Sequence, residues 1–168
     1  HLENEDLRID QDFRTDSALV SCEAGKILSR LIVDCRKQGL KGLNNFVGIP
    51  GVVGAAVRGN IGIPAQEFGE LVKRVEVFDG EKFFFLEQKD CQFRYRESRM
   101  KTEYLLVWSV ELIIQKGQSP QQDELLLNRI AKQPKGHSCG SFFKNIDTRD
   151  GPFAGKLIEE CGLKGKKI

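Results

Sequence analysis

Glycine is concentrated in one stretch of the sequence, residues 39–69, and this stretch constrains the fold more than any other feature. It holds eight of the chain's 17 glycines in 31 residues, whereas glycine averages about 7% of residues in proteins. Apolar residues and two prolines are interleaved with the glycines, so the stretch is not a low-complexity linker. At this density the backbone either turns tightly or approaches another group closely.

Within this stretch, Gly48, Gly51 and Gly54 recur every three residues around Pro50. Glycine lets backbone N–H groups come within hydrogen-bonding distance of a phosphate, because no Cβ intervenes. The spacing matches neither the G-x-G-x-x-G of a Rossmann turn nor the phosphate loop that ends in Lys-Ser/Thr. The residues alone therefore leave two interpretations open, a phosphate cradle and a packed turn without a ligand.

The overall composition excludes several classes of protein. The chain has 168 residues, a length that suits one domain or two small ones. Its net charge of only +2 argues against a nucleic-acid binder. No apolar run approaches the roughly 18 residues of a membrane span. The first residues are acidic and polar, unlike a secretory signal peptide. We therefore expect a cytoplasmic protein with no membrane or nucleic-acid partner.

The cysteines and histidines do not form a metal-binding pattern. The five cysteines are widely spaced and contain no C-x-x-C pair, and there are only two histidines, His1 and His137. Structural zinc sites require closely spaced pairs of such ligands. We therefore predict reduced thiols and no metal site.

The spacing of apolar residues predicts a mixed α+β fold. Asp79-Gly80 is a strong two-residue turn signal between two apolar runs, and Gly39 lies where the cap of a preceding helix is expected. The predicted elements are strands at 18–22 and 104–115, helices at 25–38, 119–132 and 153–161, and a β-hairpin over 71–88.

A basic and aromatic stretch follows the hairpin, at Cys91–Lys101 (CQFRYRESRMK). Arg94, Arg96 and Arg99 could clamp an anion, since a guanidinium binds carboxylate or phosphate through two parallel hydrogen bonds. The alternative is a solvated basic face that nearby glutamates partly neutralise.

A third stretch, Ala131–Ile146, places Ser141 close in sequence to His137. A serine hydrolase is nevertheless excluded, because the G-x-S-x-G turn that exposes such a nucleophile is missing. The last stretch, Phe153–Ile168, taken alone, is typical of an amphipathic packing helix.

Together, the order and spacing of these stretches resemble one family, UDP-N-acetylenolpyruvoylglucosamine reductase (UDP-N-acetylmuramate dehydrogenase). The matching pieces run from Gly39 to Gly165, and GIPG…GNIG with F-x-Y-R-x-S form a specific pair. The resemblance implies a flavoenzyme of peptidoglycan precursor synthesis. Such an enzyme uses NADPH, through FAD, to reduce UDP-N-acetylglucosamine enolpyruvate to UDP-N-acetylmuramate.

The resemblance also implies roles for particular residues. Arg96 would bind and polarise the enolpyruvyl carboxylate, and Ser141 would donate the proton. Tyr95 would belong to the substrate site, while Lys132 and Asn145 would contact the UDP diphosphate or sugar. The expected FAD-lining residues are Gly48, Ile49, Pro50, Gly51, Gly54, Asn60, Ile61, Gly62 and Arg129.

The chain also departs from the family pattern. The family's aromatic after the GNIG segment is missing from Gly62-Ile63-Pro64-Ala65. Its N-terminal phosphate loop and its C-terminal catalytic glutamate have no counterpart. We therefore expect the middle of a longer enzyme, with part of an FAD-binding domain at 1–90 and part of a substrate-binding domain at 91–168. The alternative is a catalytically incomplete remnant that only binds flavin or UDP-sugar, and the oligomeric state is not predicted.

Overall fold

The structure, a computed structural model, describes residues 7–12, 14–63, 66–118, 127, 131, 143–145 and 153–166. The chain divides into two compact units, His1–Lys132 and Gln133–Ile168. The described residues form short helices and antiparallel strands, so the predicted α+β class is confirmed.

A six-stranded antiparallel sheet organises the first unit, in the order β1-β2-β8-β6-β7 with β3 also paired to β8. A separate two-stranded ribbon joins β4 to β5. The strands are β1 (Arg8–Gln11), β2 (Ser17–Glu23), β3 (Leu40–Lys41), β4 (Gly62–Ile63), β5 (Gln66–Glu67), β6 (Val72–Phe78), β7 (Phe83–Glu87) and β8 (Leu106–Lys116). The α-helices are α1 (Leu28–Lys37), α2 (Val53–Arg58), α3 (Arg99–Thr102) and α4 (Ala154–Glu160), and short 3-10 helices cover Asn44–Phe46, Phe68–Leu71 and Gln88–Cys91.

The long strand β8 holds the sheet together and confirms the strand predicted at 104–115. It pairs with β2 on one side and β6 on the other. Because this pairing places residues 106–116 beside residues 17–23, the first compact unit continues past residue 90. This unit runs to Lys132, and the domain boundary expected at residue 90 stays a prediction.

Helix α1 packs one apolar face on the core, as the helical spacing predicts. Leu28, Leu31 and Cys35 are buried on that face. Ile27, which falls within the helix predicted at 25–38, instead precedes the observed helix. Its backbone pairs with Val52 and the residue is 44% exposed. Gly39 follows the helix at φ +69°, a left-handed conformation that suits glycine at a helix end.

The predicted hairpin is present as β6 and β7, with the inward-facing Val75 and Val77 fully buried. Its connection is longer than the two residues predicted, because β7 begins only at Phe83. The carboxylate of Asp79 accepts hydrogen bonds from the N–H groups of Lys82 and Glu81, each at 2.9 Å. These bonds order the four-residue turn and lower the pKa of Asp79.

In the second unit, α4 confirms the helix predicted at 153–161. The helix predicted at 119–132 lies outside the described residues except at Leu127 and Ala131, which are helical. Among the helices that the structure describes, none has the length and apolarity needed to cross a membrane.

Candidate functional site

A tight reverse turn at residues 94–97 presents Tyr95 and Arg96 at its tip. Arg94 and Glu97 close the turn by exchanging backbone hydrogen bonds of 3.0 and 2.9 Å. Arg96 adopts φ +57°, a left-handed conformation that costs a residue with a Cβ on the order of 1 kcal/mol. Such strain persists only where surrounding contacts hold the backbone, and it concentrates at functional sites.

The guanidinium of Arg96 is held by the end of the glycine-rich stretch. Nη1 donates to the carbonyl oxygen of Asn60 at 3.3 Å, and Nη2 donates to that of Gly62 at 2.5 Å. The guanidinium carbon, Cζ, also lies 4.8 Å from the centre of the Tyr95 ring, which is within cation–π distance. Both hydrogen-bond acceptors are neutral carbonyls, so they orient the positive charge without cancelling it. A half-buried cation of this kind suits an anionic ligand.

Asn60 is a fully buried polar residue beside this turn. Its Nδ2 donates to Glu67 Oε2 at 2.7 Å and to the Arg94 carbonyl at 2.9 Å. Its Oδ1 accepts from the Gly69 N–H at 2.8 Å. The family resemblance implies only a cofactor-lining backbone for Asn60, whereas its side chain joins its own segment to Glu67–Gly69 and to Arg94.

Ser98 and Lys101 secure the other side of the turn. Ser98 is 1% exposed and its Oγ donates to the Arg58 carbonyl at 2.7 Å. Lys101 Nζ donates to the Arg96 carbonyl at 3.0 Å. The sequence predicts no role for either residue, although Ser98 is the last residue of the F-x-Y-R-x-S motif and could have been found through it.

The glycine-rich stretch has a packed part and an open part. A Cβ on Gly54 would lie 2.7 Å from the Ala24 Cβ, so packing alone requires glycine there. Gly51 is exposed at φ +119°, and a Cβ built on it would meet no atom within 4 Å. Gly54 is therefore required for packing at the start of α2. At the exposed Gly51 the phosphate-cradle interpretation stays a prediction.

The structure brings together several predicted site residues. Arg96 contacts the carbonyls of Asn60 and Gly62 and lies against the Tyr95 ring. Ile61, between the two carbonyls in sequence, packs against the core. The loop Gly48–Gly51, which includes Ile49 and Pro50, precedes α2 in the same compact unit.

Other predicted site residues are not placed in this arrangement. Arg129, Lys132 and Ser141 lie outside the described residues. Asn145 belongs to the second unit, where its Oδ1 accepts a hydrogen bond from the Ala154 N–H at 3.1 Å, at the start of α4.

The thiols that the structure describes are free. Burial raises the pKa of Cys22, Cys35 and Cys91 to about 12, which keeps them protonated and poorly nucleophilic near neutral pH. Within the described ranges, no three His, Cys, Asp or Glu side chains are grouped so that they could hold a metal ion.

Comparison with known proteins gives one consistent result. The profile of a family described as "UDP-N-acetylenolpyruvoylglucosamine reductase, C-terminal domain" matches residues 132–168. A UDP-N-acetylenolpyruvoylglucosamine reductase of Thermosipho melanesiensis is 37% identical over 155 residues, covering 89% of this chain and 52% of the relative. One from Caldicellulosiruptor saccharolyticus is 37% identical over 164 residues, covering 93% of this chain and 52% of the relative.

A solved structure agrees with the sequence relatives. The crystal structure of the UDP-N-acetylenolpyruvylglucosamine reductase from Thermus caldophilus superposes with a TM-score of 0.75 at 32% identity. The match covers 88% of this chain and 55% of that structure. The chain therefore spans about half the length of the relatives it matches.

Proposed function

Because this chain belongs to the UDP-N-acetylenolpyruvoylglucosamine reductase family, we propose that it carries part of the site where an enolpyruvyl sugar nucleotide is reduced. The proposed substrate is UDP-N-acetylglucosamine enolpyruvate and the product is UDP-N-acetylmuramate, a precursor of peptidoglycan. The proposed cofactors are FAD and NADPH, and the proposed location is the cytoplasm. Bound FAD, once reduced by NADPH, would supply the hydride that reduces the enol ether.

In this proposal Arg96 binds the carboxylate of the enolpyruvyl group. Its guanidinium is oriented by the carbonyls of Asn60 and Gly62, so its position is set before the substrate arrives. Hydride addition to an enol ether conjugated with a carboxylate builds negative charge toward that carboxylate. A fixed cation stabilises this charge more in the transition state than in the ground state, which is the condition for catalysis.

Part of the glycine-rich stretch fits a flavin. Gly51 leaves open space where a side chain would be, and Ile49 and Pro50 precede it with partly or fully exposed surfaces. A large flat cofactor with a diphosphate needs such an accessible backbone edge. We propose that the Gly48–Gly51 loop holds FAD. Gly54 contributes indirectly, since its packing on Ala24 places the start of α2 and with it the loop.

The remaining roles rest on the family resemblance. We propose that Ser141 protonates the second carbon, that Lys132 and Asn145 bind the UDP part, and that Arg129 approaches the flavin. A serine hydroxyl is a weak acid, so Ser141 would act only with neighbours that stabilise its alkoxide.

The observation that carries the proposal is the hydrogen-bonded contact between Arg96 and the Asn60–Gly62 segment, which joins the two most specific motifs of the sequence. Calorimetric titration of the purified chain with UDP-N-acetylglucosamine enolpyruvate and with UDP-N-acetylglucosamine tests it. The second ligand lacks the carboxylate, so we expect it to bind at least about tenfold more weakly. Equal affinities, or no binding of either ligand at millimolar concentration, would overturn the assignment of Arg96.

A second measurement addresses the cofactor. We expect the chain to bind FAD, seen as a shift of the visible flavin absorbance on titration, and NADPH to bleach those bands. A flavin spectrum identical to that of free FAD throughout the titration would contradict the proposed cofactor site.

A further inference from the structure

We propose that Asn60 is a positioning residue that sets the orientation of Arg96 for its anionic ligand. The inference deepens the proposed function and rests on it. Asn60 holds the reverse turn at two points: its Nδ2 donates to the Arg94 carbonyl at the base of the turn, and its own carbonyl accepts from the Arg96 guanidinium. One buried residue thus controls both the backbone and the charged end of Arg96.

The neighbours of Asn60 determine the orientation of its amide. Glu67 Oε2 and the Arg94 carbonyl oxygen only accept hydrogen bonds, so both must face the NH₂ group. The Gly69 N–H only donates, so it must face Oδ1. A flipped amide would lose all three bonds in a fully buried position, which makes the arrangement strongly specified.

The backbone of Asn60 explains why this residue type suits the position. Its φ is +40°, in the left-handed region that glycine and asparagine adopt more readily than other residues. Asparagine therefore combines an accessible backbone conformation with a side chain that can donate two hydrogen bonds and accept one. Glycine would keep the conformation and lose the bonds.

This difference makes Asn60→Gly the informative variant, because it removes the side chain without adding backbone strain. A double variant, built from Asn60→Asp, distinguishes a loss of Arg96 positioning from a loss of folding. In Asn60→Asp, a carboxylate faces Glu67 Oε2 across 2.7 Å. Adding Glu67→Gln restores a donor for the new carboxylate, but the Arg94 carbonyl still receives no hydrogen bond from residue 60.

The matched control is Asn45→Ala. The amide of Asn45 donates to Gln66 Oε1 at 2.8 Å, so the variant also removes a partly buried amide bond to the β4–β5 ribbon. It leaves every hydrogen bond between Asn60, Arg94 and Arg96 in place.

The first readout is the ratio of affinities of the full chain for UDP-N-acetylglucosamine enolpyruvate and UDP-N-acetylglucosamine, measured by calorimetry. We expect Asn60→Gly and the Asn60→Asp/Glu67→Gln double variant to lower this ratio by about tenfold or more, with the affinity for UDP-N-acetylglucosamine unchanged. Asn45→Ala should keep the wild-type ratio. A wild-type ratio in a folded Asn60→Gly or in the folded double variant would overturn the inference.

The second readout needs no ligand and stays valid if the proposed function fails. In the ¹⁵N NMR spectrum of the labelled chain, the two Nη groups of Arg96 should give separate signals, because each donates to a different carbonyl and rotation is hindered. The signals are assigned by their loss in Arg96→Lys. We expect them to merge in Asn60→Gly and in the double variant. Separate signals in those folded variants would refute the positioning role. If the unmutated chain bound the two sugar nucleotides equally well, only the proposed function would be refuted.

Discussion

The backbone N–H of Gly54 donates to the carbonyl oxygen of Ala24 at 2.8 Å, and a Cβ on Gly54 would lie 2.7 Å from that of Ala24. This contact joins the first turn of α2 to the turn that follows β2. The neighbouring Val53 N–H makes a parallel bond to the Lys26 carbonyl at 2.9 Å. The glycine-rich stretch is therefore anchored to the sheet at a point where no side chain fits.

We expect Gly54→Ala to lower the free energy of unfolding by about 1–3 kcal/mol, the usual cost of forcing extra atoms into a packed site. Chemical denaturation followed by circular dichroism measures this loss. The matched control is Gly59→Ala at the other end of α2, where the nearest atom to the new Cβ is 3.3 Å away, and its loss should be smaller. Equal losses in the two variants would show that the contact with Ala24 is not the cause.

We expect Arg96→Lys to lower the affinity for UDP-N-acetylglucosamine enolpyruvate by about tenfold or more while keeping the charge. A lysine ammonium lacks the planar fork that reaches the carbonyls of Asn60 and Gly62 together, so its charge is not held in one place. Calorimetry measures the change, and Lys89→Gln, which removes an exposed charge, should have no such effect. Retention of wild-type affinity in Arg96→Lys would mean that charge alone suffices.

The buried Cys22 thiol makes stability fall at alkaline pH. Its pKa is raised from 9.0 to about 12 in the folded protein, chiefly by burial. Between these pH values the thiol ionises in the unfolded chain but not in the folded one. The free energy of unfolding therefore falls by roughly 1.4 kcal/mol for each pH unit. We expect the pH dependence of unfolding between pH 9 and 12 to become shallower in Cys22→Ala. Cys161→Ala, at an exposed site, should leave it unchanged.

The Arg74–Glu111 ion pair makes the stability of the fold decrease as the pH falls in the acid range. Arg74 Nη2 donates to Glu111 Oε1 at 2.6 Å across the β6–β8 pairing, which lowers the pKa of Glu111. The carboxylate therefore stabilises the fold above its ordinary pKa of 4.5 and loses that effect as the pH falls further. We expect Glu111→Gln to make the free energy of unfolding depend less on pH in the acid range, as measured by urea titrations at several pH values. Glu81→Gln, in the exposed turn, should keep the original dependence.

Local pattern was sufficient for most of the secondary structure. The buried faces of α1 and β6 follow from helical and strand spacing, because one side of each element must be apolar to cover the core. The pattern was insufficient where tertiary contacts intervened. Ile27 lies before the helix and pairs with Val52, and β8 returns to the centre of a sheet whose other strands come from earlier in the chain.

For the candidate site, the motifs can be read from the order of residues: the glycine-rich stretch, the F-x-Y-R-x-S motif and Arg96 as a candidate partner for a carboxylate. The contact of Arg96 with Asn60, 36 positions away in the chain, and the packing of Gly54 against Ala24 arise only when the chain is folded. Spacing reports on neighbours within one helix or strand. A hydrogen bond or a close contact between distant segments depends on how strands and turns pack together, which no local pattern encodes.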